Sequence, residues 1–158
     1  MTNEADFSTL GLSEQMLEAV RAKGFETPTS IQRLTIPRLL SGGNDIIAQS
    51  QTGTGKTAAF GLPILQQTEH SADGVQALVL VPTRELAVQA AEELLSFNAG
   101  RRLSITAIYG GAAMSEQLRR LSRGVDIVVG TPGRVLDHIR RGTLKLDKVR
   151  FLVLDEAD

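Results

Sequence analysis

The residues Ser50-Gln51-Thr52-Gly53-Thr54-Gly55-Lys56-Thr57 combine small side chains, a lysine and a hydroxyl at a spacing suited to phosphate binding. An apolar run at 46–48 precedes them and Ala58-Ala59-Phe60 follows, which predicts a strand, a glycine turn and a helix. Backbone N–H groups and the helix N-terminus would attract an anion there. Lys56 would reach the outer phosphates of a nucleotide, and the Thr57 hydroxyl would bind Mg²⁺. For this stretch alone, a glycine turn before an ordinary helix is the alternative, because Ser50 stands where the general pattern has Gly.

A second chemical candidate is the acidic pair Asp155-Glu156, which follows the apolar residues 151–154 and, before them, Val149. Downstream of a phosphate loop, such a pair suits the other half of a nucleotide site. Asp155 would hold Mg²⁺ through water, since this ion keeps much of its hydration shell. Glu156 would orient and deprotonate an attacking water. Taken by itself, the pair also fits solvated acids after a core strand.

Alternating strands and helices must position these residues. The sequence predicts helices near 14–23, 29–41, 56–67, 83–99, 115–123 and 131–141, and strands at 46–48, 77–81, 104–109, 126–130 and 149–154. Pro37 and Pro63 should kink or restart their helices. Several strands are apolar throughout, which predicts a parallel sheet covered on both faces. Ligands then bind beyond the carboxyl ends of the strands, where every candidate stretch falls.

Composition limits the function classes. The 158 residues, 42% hydrophobic and 22% charged, are typical of one globular domain. No apolar run approaches the roughly 20 residues of a membrane span, and the N-terminus lacks the features of a signal peptide. The absence of cysteine excludes disulfides and thiolate metal sites. A net charge of −1 means that nucleic-acid binding requires a local patch or backbone contacts. We expect a cytoplasmic protein without membrane contact.

Six motifs together resemble the amino-terminal part of the DEAD-box family of ATP-dependent RNA helicases. They are Gly24-Phe25 with Pro28-Thr29-Ser30-Ile31-Gln32 (the Q motif, with Phe7 upstream), Ser50–Thr57, Pro82-Thr83-Arg84-Glu85-Leu86-Ala87, Gly110-Gly111, Thr131-Pro132-Gly133-Arg134 and Asp155-Glu156-Ala157-Asp158. The family has Ala at the first loop position, so Ser50 departs from that pattern too. The resemblance implies an α/β, RecA-like P-loop domain with a mostly parallel sheet and helices on both faces.

The resemblance also implies the site residues. ATP would contact Phe25, Gln32, Gln51, Thr52, Gly53, Thr54, Gly55, Lys56 and Thr57, with Lys56 and Glu156 catalytic and Thr57 and Asp155 on Mg²⁺. RNA would contact Pro82, Thr83, Arg84, Gly111, Thr131, Gly133 and Arg134, and Asp158 would couple the motifs. A carboxamide can pair with the amino group and ring nitrogen of adenine, so Gln32 suits selection of ATP over GTP. RNA contacts to phosphate and ribose predict little sequence specificity and a clear salt dependence.

The same resemblance sets an expectation for the extent of the chain. Residues 1–158 would be a partial amino-terminal domain, with a Q-motif region at 7–32 and a core at 45–158. The fold would be incomplete, because the strands after the acidic motif and a second RecA-like domain with arginine fingers would be absent. We therefore expect RNA unwinding by the full-length protein and almost no ATPase activity from these residues alone, which should also fold marginally, since strand edges lack partners.

Other readings of the sequence remain open. The alternatives are a passive ATP- or RNA-binding piece, a DNA-directed helicase of the same superfamily and another P-loop phosphotransferase. His70, His138 and Arg140-Arg141 are assigned no function, with His138 and the arginine pair expected at the surface of one helix. Arg119, Arg120 and Arg123 are expected on a solvated helix face.

Overall fold

The computed structural model describes residues 6–51, 55–71, 73–98 and 100–157, which form an α/β fold. A short 3-10 helix at Phe7–Thr9 precedes the other elements. The helices are α1 (Glu14–Ala22), α2 (Ser30–Ser41), α3 (Lys56–Gln67), α4 (Arg84–Ser96), α5 (Met114–Ser122) and α6 (Pro132–Arg141), and the strands are β1 (Ala77–Leu80), β2 (Ile105–Ile108), β3 (Ile127–Gly130) and β4 (Phe151–Leu154). Within the described ranges, every helix is too short or too polar to cross a bilayer.

The described chain divides into two compact units. The first takes its residues from Met1–Gln67 and Glu93–Arg101, and the second from Thr68–Glu92 and Arg102–Asp158. The first unit is helical, and the second holds the sheet.

Local side-chain caps explain where the helices of the first unit begin. The Ser13 hydroxyl accepts a hydrogen bond from the Met16 amide over 3.3 Å and so caps the start of α1. Met16 and Val20 are buried on the inner stripe of this helix. The Gln66 side chain of α3 accepts from the Ser13 amide over 2.8 Å. This bond ties the start of α1 to the end of α3.

Both prolines lie inside helices that continue through them. Pro37 is within α2 and Pro63 within α3, so neither residue restarts its helix. Burial explains the continuity, because Ile36, Leu62 and Leu65 are almost completely removed from solvent. Their packing outweighs the backbone hydrogen bond that each proline removes.

The described residues of the second unit form a four-stranded parallel sheet with the order β2-β3-β1-β4. In register, Leu78 of β1 lies beside Val128 of β3 and Leu152 of β4. Helices α5 and α6 cover one face, where Leu121 and Val135 pack against Leu78, Ile108 and Val128. Because the strands are parallel, their carboxyl ends meet at one edge.

Strand β4 is less buried than its sequence predicts. Leu152 and Leu154 are 61% and 60% exposed, whereas Phe151 and Val153 are half-buried. Within the described residues β4 pairs only with β1 and lies at the edge of the sheet. Its apolar sequence therefore does not mean burial on both faces.

Two sequence predictions about elements are wrong. Residues 45–51 carry no regular secondary structure, so the strand predicted at 46–48 is absent, and Ile47 is fully exposed. A strand exists only where a neighbour completes its ladder, and apolar sequence alone does not supply one. Helix α5 begins at Met114 rather than Ser115, and its N-cap Ala113 makes no side-chain hydrogen bond.

Candidate functional site

Gly55 and Gln32 meet where the phosphate loop enters α3. The Gln32 side chain donates from Nε2 to the Gly55 carbonyl oxygen over 3.2 Å. Gly55 has a φ of +80°, and a Cβ atom there would collide with the Gln32 carboxamide. Only glycine suits both the backbone conformation and this close approach.

Gln32 also completes the start of α2. Its Oε1 accepts from the Thr29 amide over 2.9 Å, and the Thr29 hydroxyl accepts from the Gln32 amide over 3.4 Å. This reciprocal pair is a capping box, which makes Thr29 the N-cap of α2. Gln32 is only 2% exposed, so the buried carboxamide links the cap of α2 to the end of the phosphate loop.

Phe25 lies in an aromatic cluster with a cation above it. Its ring meets the Phe97 ring edge to face, with centroids 5.7 Å apart. The Lys23 ammonium lies 5.1 Å from the Phe97 centroid and forms an ion pair with Glu93 over 3.4 Å. A cleft of about 410 Å³ adjoins Phe25 and is also lined by Phe7, Arg21 and Glu26. Gln32 does not line this cleft.

The structure covers part of the predicted phosphate loop. Ser50 and Gln51 precede the gap in the described residues, and the Ser50 hydroxyl contacts the Gln51 carbonyl oxygen. Lys56 and Thr57 are half-buried in the first turn of α3, the helix end that favours anions. Thr52, Gly53 and Thr54 lie outside the described residues, as does Asp158.

Four predicted functional stretches of the second unit follow the carboxyl ends of four adjacent strands. In spatial order these are Gly110-Gly111 after β2, Thr131–Arg134 after β3, Pro82–Arg84 after β1 and Asp155-Glu156 after β4. They are far apart in sequence. The parallel register brings them into one row.

Asp155 is held where β4 leaves the sheet. Its backbone amide donates to the Leu80 carbonyl oxygen over 2.9 Å, which extends the β1–β4 ladder by one residue. Its Oδ1 accepts from the Glu156 amide over 3.1 Å. Glu156 is exposed and has a φ of +55°, a left-handed conformation that is uncommon for a residue other than glycine. Within the part of the chain that is described, no three His, Cys, Asp or Glu side chains are grouped as metal ligands.

Thr83 and Arg84 form the turn after β1. The Thr83 hydroxyl accepts from the Leu86 amide over 3.2 Å and so caps α4. The Arg84 guanidinium lies 5.9 Å from the centre of the Tyr109 ring and 3.7 Å from a Glu85 oxygen. Gly111 has a φ of +82°, and an added Cβ would stand 3.3 Å from an Arg84 nitrogen. Arg84 therefore borders the glycine loop that follows β2.

The turn after β3 presents different groups. Thr131 occupies the N-cap position of α6, with Pro132 at the first turn as predicted, but its side chain makes no capping hydrogen bond. A Cβ atom added to Gly133 would meet open space. Arg134 is half-buried and donates to the Ala112 carbonyl oxygen and the Gln117 Oε1, each over 3.3 Å. Its charge thus has protein partners on the glycine loop and on α5.

Two buried polar residues lie beside these turns, and the sequence assigned neither of them a function. Gln117 of α5 and His138 of α6 are 5% and 0% exposed, and the expected surface position of His138 is wrong. His138 Nε2 lies 3.1 Å from Gln117 Oε1, and its Nδ1 lies 2.8 Å from the Thr143 hydroxyl. Burial lowers the pKa of His138 from its ordinary value of 6.5, and the Arg134 charge lowers that pKa further. The available signal was position, because each residue falls on the apolar stripe of its helix.

A second buried polar centre lies at the opposite, amino-terminal edge of the sheet. The fully buried Asp126 carboxylate accepts from the amides of Ser71 and Ser104 over 3.1 and 2.9 Å. The exposed His70 ring contacts the same carboxylate over 2.9 Å. Asp126 therefore joins the connection after α3 to the start of β2. Its role is structural, because no predicted motif lies at this edge.

The chain matches known proteins along most of its length. The DEAD/DEAH box helicase family model matches residues 29–158. The ATP-dependent RNA helicase CshA of Listeria monocytogenes is 53% identical, over 96% of this chain and 29% of that protein. The ATP-dependent RNA helicase DeaD of Haemophilus influenzae is 53% identical, over 100% of this chain and 26% of that protein. A crystal structure of a DEAD box protein from Methanococcus jannaschii superimposes with a TM-score of 0.92 and 48% identity, over 97% of this chain and 42% of that one. The chain thus spans less than half of each.

Proposed function

Because the chain belongs to the DEAD/DEAH box helicase family, we propose that the full-length protein couples ATP hydrolysis to local separation of RNA strands. The observation that carries this proposal is the row of turns at the carboxyl edge of the sheet. Three turns with hydroxyl, glycine and arginine residues follow β2, β3 and β1, and the acidic pair follows β4. Backbone-binding turns and a pair of hydrolytic acids on one rigid sheet suit an enzyme that couples the two activities.

The proposed ATP-binding residues are Phe25, Gln32, Gln51, Thr52, Gly53, Thr54, Gly55, Lys56 and Thr57. Lys56 neutralises the outer phosphates, and the first turn of α3 adds its positive dipole end. Gln32 selects adenine. A carboxamide has two N–H donors and two acceptor lone pairs on its oxygen, so bonds to Gly55 and Thr29 leave one of each for the base.

Hydrolysis is assigned to Asp155 and Glu156. Glu156 takes the proton of the attacking water, and Asp155 and Thr57 would hold Mg²⁺. Carboxylate and hydroxyl oxygens are the donors this ion prefers, and a single carboxylate suffices because Mg²⁺ retains several waters. When bound, the ion neutralises negative charge that develops on the phosphates. The bond from the Asp155 amide to Leu80 fixes the backbone of the acidic pair relative to β1.

The proposed RNA-binding residues are Pro82, Thr83, Arg84, Gly111, Thr131, Gly133 and Arg134. Thr131 is suited to a phosphate oxygen, because it stands at the N-terminus of α6 and its hydroxyl caps no amide of that helix. Gly133 permits close approach of the strand, and Arg84 adds charge. Such contacts read the backbone and not the bases, so binding is insensitive to sequence and weakens with salt.

A second RecA-like domain is the expected partner, supplying arginine fingers, and Asp158 is expected to couple the motifs. We place the protein in the cytoplasm, where ATP and RNA are both available to it.

Steady-state ATPase assays with and without single-stranded RNA test this function on the full-length protein. We expect RNA to stimulate turnover, ATP to be preferred to GTP, and Glu156→Gln to reduce kcat by about 100-fold or more. Glu69→Gln is the matched control, because Glu69 is an exposed acid outside every proposed site. Turnover that RNA does not change would contradict the proposal.

Strand-separation assays distinguish the competing functions. We expect ATP-dependent separation of a short RNA duplex and none of the corresponding DNA duplex. Separation of DNA would identify a DNA-directed helicase. RNA and ATP binding without turnover by the full-length protein would indicate a passive binding role.

A further inference from the structure

The glycine loop after β2 is held at its first end by α5. Gln117 donates from Nε2 to the carbonyl oxygen of Tyr109 over 2.9 Å. Tyr109 immediately precedes Gly110-Gly111, two exposed residues without side chains of their own to anchor them. A buried donor on this carbonyl therefore fixes the backbone where the loop begins.

The second end of the loop is held by α6. Arg134 donates to the carbonyl oxygen of Ala112, the residue after Gly111, over 3.3 Å. The same guanidinium nitrogen contacts Gln117 Oε1 over 3.3 Å. The two side chains that hold the loop ends are thus hydrogen-bonded to each other, and they form one brace across the loop.

His138 fixes the orientation of this brace. Gln117 Oε1 faces a guanidinium donor, so the Gln117 amide nitrogen must face Tyr109. Because Oε1 only accepts, a hydrogen bond across the 3.1 Å to the His138 ring requires the proton on Nε2. The Thr143 hydroxyl, 2.8 Å from Nδ1, holds the other side of the ring. His138 follows Arg134 by four residues on α6, so both approach Gln117 from one helix face.

We propose that Gln117 and His138 are positioning residues for RNA binding, which hold the Gly110-Gly111 loop and the Arg134 guanidinium in the geometry that receives the RNA backbone. Neither residue touches RNA in this account. The inference rests on the proposed function. It adds two residues that lie outside the motifs of the sequence. The brace would position two of the proposed RNA-binding turns, the one after β2 and the one after β3. The Arg84 guanidinium, close to Gly111 and to the Tyr109 ring, extends the same arrangement to the third turn.

Equilibrium binding of a fluorescent single-stranded oligouridylate to the full-length protein tests the proposal, alongside binding of a non-hydrolysable ATP analogue. We expect Gln117→Ala and His138→Leu each to weaken RNA binding by about five- to tenfold, the effect of losing one or two hydrogen bonds. Affinity for the ATP analogue should change by less than about twofold. His138→Gln can still donate an N–H to Gln117 and should retain most of the RNA affinity. This conservative variant keeps the test valid if Gln117→Ala or His138→Leu misfolds.

Asp126→Asn is the matched control, because it disturbs a buried polar centre at the opposite sheet edge. It should lower stability while leaving RNA affinity near that of the unsubstituted protein. If Gln117→Ala and His138→Leu change RNA affinity no more than Asp126→Asn, or weaken RNA and nucleotide binding in parallel, the positioning role is wrong. Failure of the unsubstituted protein to bind RNA would instead overturn the proposed function together with this inference.

Discussion

The Gln32 carboxamide donates a hydrogen bond to the Gly55 carbonyl oxygen over 3.2 Å and accepts one from the Thr29 amide over 2.9 Å. One buried side chain therefore joins the cap of α2 to the residue before α3. Substitution of Gln32 should for this reason affect stability and nucleotide choice together.

Gln32→Ala should lower the free energy of unfolding by about 2 kcal/mol, because it removes half of a capping box and the bond to Gly55. Gln32→Glu keeps the acceptor for Thr29 but loses the N–H donor. It should therefore weaken ATP binding by about tenfold and reduce the ratio of ATP affinity to GTP affinity. Denaturant unfolding and nucleotide titration measure the two effects. Thr29→Ala, which removes only the hydroxyl cap, should lower stability by about 1 kcal/mol with the ATP preference intact. An unchanged preference in Gln32→Glu would contradict adenine selection.

Gly55→Ala should reduce ATP affinity by about tenfold or more, because the new Cβ would displace the Gln32 carboxamide as well as strain the backbone. Gly142→Ala isolates the strain alone, since Gly142 has a similar φ of +75° with no atom near its added Cβ. Denaturant unfolding of the two variants separates the cost of the collision from the cost of the strain, and nucleotide titration shows whether the collision affects ATP binding. Equal affinities would show that the contact with Gln32 is unimportant for the nucleotide.

Asp126→Ala should lower the free energy of unfolding by about 3 kcal/mol, because it leaves the half-buried amides of Ser71 and Ser104 without their acceptor. His70→Ala should cost less than about 1 kcal/mol, since its side chain is 63% exposed. Denaturant unfolding of both variants checks the difference. Similar losses would mean that the contact with His70, rather than the amide bonds, is the main contribution of Asp126 to stability.

His138 predicts a pH dependence of stability. Its pKa in the folded protein lies below the ordinary 6.5, so the unfolded chain binds a proton more readily. The stability that neutral His138 contributes should be fully present above pH 6.5 and be lost as pH falls from there towards the folded pKa. The chain has two histidines, so His70→Ala is the background that isolates His138. In that background His138→Gln should flatten the plot of unfolding free energy against pH. If the plot keeps its slope, groups other than His138 cause the pH dependence.

The 158 residues by themselves should hydrolyse ATP slowly and without response to RNA. They span 29% and 26% of the CshA and DeaD relatives, and an arginine finger alone contributes about 10³–10⁵ to the rate of phosphoryl transfer. Parallel ATPase assays on these residues and on a protein of the relatives' length make the comparison. RNA-stimulated turnover by the shorter chain would contradict the prediction.

The sequence by itself determined the fold class and most helix limits. Ser13 and Thr29 mark helix starts through hydrogen bonds to nearby amides, and Pro132 does so through its fixed backbone angle, so local pattern is sufficient to find them. Four of the five predicted strands formed, and the parallel sheet followed from their alternation with helices. The family then followed from motifs whose residues are contiguous in sequence.

Only the tertiary structure decided which groups become partners across long stretches of chain. The apolar run at 46–48 forms no strand, because a ladder needs a neighbour that local sequence cannot specify. Arg134 and Gln117, 17 residues apart, become a brace for the glycine loop because the sheet brings α5 and α6 side by side. His138 reads as a surface residue until that packing buries it, and the resulting desolvation lowers its pKa. The sequence gives the chemistry of each side chain, whereas its hydrogen-bond partners and its burial depend on the assembled fold.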